Sequence, residues 1–138
     1  MADLKAIAHR MFDEVISQGN FDVLDEIVHE DVIEHEELGD MPSGRAGVRA
    51  WFTMMRDAFP DLRAEIVAMA VDGDELWVQS VFHGTHRAEF MGIPATGKSF
   101  SMNVIDRLRF VDGKAAEHWG VADQMGMMAQ LGLSEPPG

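Results

Sequence analysis

SFSMNVIDRLRF, residues 99–110, alternates with a period of two: Phe100, Met102, Val104, Asp106, Leu108 and Phe110 fall on one side, Ser101, Asn103, Ile105, Arg107 and Arg109 on the other. Successive side chains of a strand point to opposite faces of its sheet, so this pattern predicts a long strand with one buried face. Asp106 stands on the apolar side, where a carboxylate is costly unless it is protonated or bonded. Asp112-Gly113 reads as a hairpin turn into a last strand over residues 114–122. Along that strand Glu117, Trp119, Val121 and Asp123 share one phase, taken here as the inward one, with Glu117 at the rim or paired to Arg107 or Arg109. His118 has the opposite phase and is expected to face away, toward a dimer interface. The Met-rich stretch after Asp123 is broken by Gly126 and is long enough only for a terminal helical turn.

Upstream, Leu62, Ala64, Ile66, Ala68 and Ala70 lie on one phase, Asp72-Gly73-Asp74 makes a turn, and residues 75–86 are rich in Val, Trp, Phe and Thr. This predicts another hairpin. Before Pro60 the period is helical. Leu4, Ile7, Ala8, Met11, Phe12, Val15 and Ile16 form an amphipathic stripe that ends at Gly19, and Asn20 can cap a short second helix burying Phe21, Leu24, Ile27 and Val28. Val32 to His35 reads as a brief extended segment, residues 36–44, with Gly39, Pro42 and Gly44, as a loop. Val48, Trp51, Phe52, Met55 and Phe59 make a third helical stripe that Pro60 stops. Helices first and strands after predict an α+β fold: helices packed on a strongly curved, mostly antiparallel sheet that encloses an apolar pocket. Residues 1–133 are expected to form a single domain, and residues 134–138, SEPPG, a flexible tail.

The chain has 138 residues, 11 Lys plus Arg against 24 Asp plus Glu, and a formal net charge of −13. Such an acidic chain repels phosphate backbones and anionic headgroups, so neither nucleic acid nor membrane is an expected partner. It contains no cysteine, which removes thiolate catalysis, disulfides and Cys-ligated zinc. No apolar run approaches the ~20 residues of a membrane span, and the amino terminus lacks a signal-peptide pattern. A cytoplasmic protein is expected. No HxxxH or HExxH spacing appears among the six histidines, so no metal centre is expected.

The chemistry then falls to carboxylates and histidines. Burial in an apolar pocket raises a carboxyl from its ordinary ~4 toward the neutral range where it serves as a base. Asp123, followed by Met125, Met127 and Met128, has such a setting; the structural alternative is an N-cap of the terminal turn. Asp106 is the second candidate, and two inward carboxylates would push their pKa values apart. The alternative for Asp106 is a bond to backbone, His or Trp. His35, leaving the extended segment, and His86 can orient a substrate oxygen, or can be hydrogen-bonded rim residues. Trp51, Phe52, Phe82, Met102, Val104, Trp119 and Met125 are core residues by spacing and pocket-lining residues by location. Phe90, Met91 and Ile93, in a Gly/Pro-bearing loop that packing explains less well, are lid candidates. GIPATGK, residues 92–98, lacks the frame of a phosphate loop.

AFPDL (58–62), GTHRAEFMGIPATGK (84–98) and EHWGVADQMGMMAQLG (117–132) together resemble the SnoaL-like polyketide cyclases of the NTF2-like superfamily. The resemblance spans nearly the whole chain. It implies a cone-shaped α+β barrel, often a homodimer, with a deep pocket for a small hydrophobic molecule and no metal or organic cofactor. It also implies ring closure by intramolecular aldol condensation, with an aspartate on the last strand as acid/base; Asp123 matches that position, and His35 a position where the family often places a pocket His. Asp123, Asp106 and His35 are thus the expected catalytic residues. Limonene epoxide hydrolases resemble this superfamily too, but their Asp-Arg-Asp arrangement has Arg two residues before the strand Asp, where this chain has Val104. A ketosteroid-isomerase-like enzyme and a non-catalytic hydrophobic ligand-binding module are the other readings.

Overall fold

The computed structural model describes residues 3–36 and 40–133, so Gly39 and the 134–138 tail lie outside the described residues. α1 (Leu4–His9) is capped by Asp3, whose Oδ1 accepts from the Ala6 N–H at 3.2 Å, and runs on as a π-helical segment, Arg10–Ser17. Its stripe buries Leu4, Ala8, Phe12, Val15 and Ile16. A 3₁₀ turn (Phe21–Val23) leads into α2 (Leu24–Ile27); Asn20 precedes it without a side-chain cap bond. The extended segment is longer than its sequence suggested, forming β1 (Val28–Glu34), and α3 spans Gly44–Ala58.

β2 (Arg63–Asp72), β3 (Glu75–Thr85), β4 (Ser99–Val111) and β5 (Lys114–Ala122) complete one five-stranded sheet of order β1-β5-β4-β3-β2. Its pairs are antiparallel except β1 with β5, which run parallel. β4 buries Phe100, Met102, Val104, Asp106 and Phe110, as its alternation predicts. The helical layer covers that concave face; Phe12 meets Phe82 edge-on at 6.3 Å between ring centroids. α4 (Gln124–Gln130) follows β5. Among the described residues no helix is long and apolar enough to cross a membrane.

Two register slips correct the reading of strand phases. In β2 the pairing shifts between Ile66 and Ala68, so Met69 packs against the core and Ala68 and Ala70 do not. In β5 the hairpin starts as expected, Val111 opposite Lys114 and Phe110 opposite Ala115, but the next pair is Arg109 with Glu117. Ala116 is an extra residue, a bulge. One inserted residue sends every later side chain to the other face. Asp106 therefore pairs with Gly120 rather than Trp119. His118, Gly120 and Ala122 turn inward, and Glu117, Trp119 and Val121 turn outward.

Candidate active site

Between the concave face, the first helical segment and α3 lies a cavity of about 110 Å³. Its wall is apolar: Met11, Phe12 and Ile16 from the first helix, Val48, Trp51, Phe52 and Met55 from α3, Phe82 from β3, and Met102, Val104 and Leu108 from β4. Its polar end gathers Glu34, Glu36, Asp106, His118 and Gln124. An outer hollow of about 560 Å³, lined by Glu30, Asp31, Met41, Pro42 and Ser43, shares Val32, Glu34 and Glu36 with the cavity. Those two glutamates form the threshold.

β1, β4 and β5 lie side by side, and each delivers part of the polar end. His118 Nε2 lies 2.7 Å from Asp106 Oδ1, and its Nδ1 lies 2.7 Å from both Glu34 oxygens. A neutral imidazole has one N–H, whereas ionised carboxylates only accept. Two carboxylates on one ring therefore call for an imidazolium. Burial alone would lower the His118 pKa, but the hydrogen bonds to Asp106 and Glu34, reinforced by their charges, outweigh it and push the value up to about 10. Glu36 moves upward as well: burial is the main cause, the positive charge of His118 opposes it, and the charges of Asp106 and Glu34 add to it. At Gly120 a Cβ would come 2.7 Å from Glu36 Oε2 and 3.1 Å from Asp106 Oδ1. Only glycine leaves these acids their room.

Glu34, Glu36 and His118 bring one potential ligand atom each within 4.8 Å of one another. Both ring nitrogens face carboxylate oxygens at hydrogen-bond distance, so the arrangement as it stands shares protons.

Asp106, Trp51, Phe52, Phe82, Met102 and Val104 meet at the cavity. The other expected residues do not. Asp123 is exposed and caps α4, its Oδ1 accepting from the Gly126 N–H at 2.9 Å. His35 sits just past β1 on the convex face, stacked on Trp119 at 4.8 Å and 2.6 Å from Glu117. Trp119 lies there too, under the Arg107 guanidinium at 4.1 Å. His86 is fully buried away from the cavity, its Nδ1 3.1 Å from Thr96 Oγ1 and its ring against Phe59. Phe90 is a core residue packed on Phe59 at 5.2 Å, which anchors its loop rather than making a lid. Met91 and Met125 are exposed, at 63% and 84%.

The residues not anticipated are Glu34, Glu36 and His118. Val32 is buried, and the period of two carried on from it puts Glu34 and Glu36 on the same face, with His35 on the other. That signal was in the sequence. For His118 the bulge hid it.

A profile of SnoaL-like polyketide cyclases matches residues 6–131. Aklanonic acid methyl ester cyclase DnrD of Streptomyces peucetius is 29% identical over 127 residues, 89% of this chain and 87% of that protein. Nogalonic acid methyl ester cyclase of Streptomyces nogalater is 29% identical over 121 residues, 83% of this chain and 87% of that one. Among solved structures, TsrD of Streptomyces laurentii superposes with a TM-score of 0.87 at 26% identity, covering 95% of this chain and 96% of its own. IdmH of Streptomyces antibioticus gives 0.81 at 32% identity, with 93% and 97% covered.

Proposed function

Because this chain belongs to the SnoaL-like polyketide cyclases, we propose that it closes a ring in an apolar, ketone-bearing polyketide ester by intramolecular aldol addition, with Asp106 as the acid/base. The observation that carries this reading is a buried carboxylate at the polar end of an apolar cavity, held at 2.7 Å by an imidazolium that it shares with Glu34. One positive charge divided between two carboxylates leaves Asp106 net negative character toward the ligand.

Asp106 Oδ1 is held by His118, and Oδ2 takes a proton from a carbon between two carbonyls. The C–H bond breaks, the carbanion attacks another carbonyl carbon of the same molecule, a C–C bond forms, and the proton returns to the new alkoxide. Substrate and product are isomers, and no co-reactant is consumed. Positioning by Trp51, Phe52, Phe82 and Met102 supplies much of the rate, since well-oriented intramolecular reactions reach effective molarities of ~10⁵ M or more. Proton transfer by a placed carboxylate adds on the order of 10²–10⁴-fold.

The methyl esters named for the relatives are the first substrates to offer. Aklanonic or nogalonic acid methyl ester should give a product of unchanged mass and altered chromatographic retention. No product from either ester with well-folded protein would count against the cyclase assignment.

We also infer a homodimer. The sheet face expected to pair carries Trp77, Ile105 and the half-buried Val81, and Val121 joins them; Trp77, Ile105 and Val121 expose 44%, 44% and 74% of their surface, an apolar patch that a second copy would cover. Sedimentation showing only monomer at micromolar concentration would exclude it.

A further inference from the structure

Glu36 is the acid that the Asp106 chemistry leaves unused. It sits just beyond β1, lines the apolar cavity and the outer hollow alike, and is half-buried. The groups that face it are Glu34 from its own segment, Asp106 from β4 and His118 from β5. Three carboxylates thus surround one cation. Both nitrogens of that cation are already given to Glu34 and Asp106, and among the described residues no side chain or backbone N–H donates to the Glu36 carboxyl. A carboxylate without a donor, beside two others and an apolar wall, reaches its lowest energy by keeping its proton.

We infer that Glu36 is held as a neutral carboxylic acid and donates its O–H to the carbonyl oxygen of a ligand entering the cavity, making it a second catalytic residue, the general acid opposite Asp106. In the aldol step its proton passes to the oxygen of the attacked carbonyl as the C–C bond forms. The proton that Asp106 took from carbon then restores Glu36, directly or through water, so none is gained or lost. Gly120 has a role here, because any side chain at that position would displace the Glu36 carboxyl. The inference rests on the cyclase reading for its catalytic part and is independent of it for the protonation state.

The test separates the two. Infrared difference spectra of ligand-free wild type against Glu36→Gln at pH 7 should contain the carbonyl stretch of a protonated carboxylic acid, lost in the variant. Saturation with 2-tetralone, an apolar ketone whose binding is followed by calorimetry, should shift that band downward. In turnover Glu36→Gln keeps a hydrogen-bond donor but no transferable proton, so kcat should fall on the order of 10²-fold with KM little changed. The alkaline limb that Glu36 ionisation gives the wild-type pH profile, below the pH of about 10 where His118 loses its own proton, should also disappear. An ionised Glu36 at pH 7, seen as no acid band or as one that survives Glu36→Gln, would overturn the inference. A band that stays fixed with saturating ketone would remove the donor role. A clear band in a protein that turns over neither ester leaves the Glu36 assignment standing and sinks the cyclase reading instead.

Discussion

Two Glu–His pairs lie on opposite faces of the same sheet. On the concave face Glu34 meets His118 at 2.7 Å, and on the convex face Glu117 meets His35 at 2.6 Å. The distances match and the surroundings do not. Outside, His35 is exposed and lies flat on Trp119, and the Glu117 carboxyl, bonded to His35 and to Arg109 at 2.9 Å, is held below the usual range by two partners. Every charge there has an opposite: Glu117 faces both His35 and Arg109. Inside, one imidazolium serves two carboxylates, with Glu36 beside them and an apolar wall facing them. The proton transfer we propose for the inner face therefore rests on burial and charge imbalance, not on the residue types, which the two faces share.

Removing each histidine in turn should separate the two faces most. His118→Gln strands the buried Asp106 and the half-buried Glu34 without their cation and should cost about 3 kcal/mol in urea unfolding. His35→Gln, at an exposed pair, should cost ~0–1 kcal/mol. Equal costs would mean that the inner network is no more demanding than the outer.

A pH series sharpens the same contrast. Because the His118 pKa in the folded protein, about 10, stands above the 6.5 of an ordinary imidazole, its contribution to stability is full below pH 6.5 and is lost as pH rises through 10. The stability gap between wild type and His118→Gln should narrow across that window. A gap that stays constant from pH 6 to 10 would contradict the imidazolium.

Smaller effects belong to the helix cap. Asp123→Ala should cost about 1 kcal/mol by freeing the Gly126 N–H, whereas Asp123→Asn, itself a good cap, should melt within a degree or two of wild type. Indistinguishable melting of the Ala and wild-type proteins would show the cap to be idle.

β4 was legible because a regular strand shows its faces as a two-residue period, and nothing in 99–111 interrupts it. β5 misled because the bulge at Ala116 carries no local mark; alanine is unremarkable in a strand, and counting from the turn without the extra residue places Trp119 opposite Asp106. That single step reversed Trp119, His118 and Glu117, and it made Asp123 look inward. Gly120 was the available clue, since a glycine within a strand often marks a close approach of other groups. The parallel pairing of β1 with β5 was beyond reach for a different reason: it joins segments far apart in the chain, and no local pattern encodes it. Phe90 and Met91 show the limit of reading loops by composition, for one is a core anchor and its neighbour is exposed at a positive φ of 50°.

We place the acid/base chemistry with Asp106 and its imidazolium on the concave face. Turnover of aklanonic acid methyl ester by Asp106→Asn and Asp123→Asn, measured side by side, tests it most directly. A loss on the order of 10²–10⁴-fold is expected for Asp106→Asn and a rate within a few-fold of wild type for Asp123→Asn. The reverse pattern, an active Asp106→Asn and a dead Asp123→Asn, would contradict it.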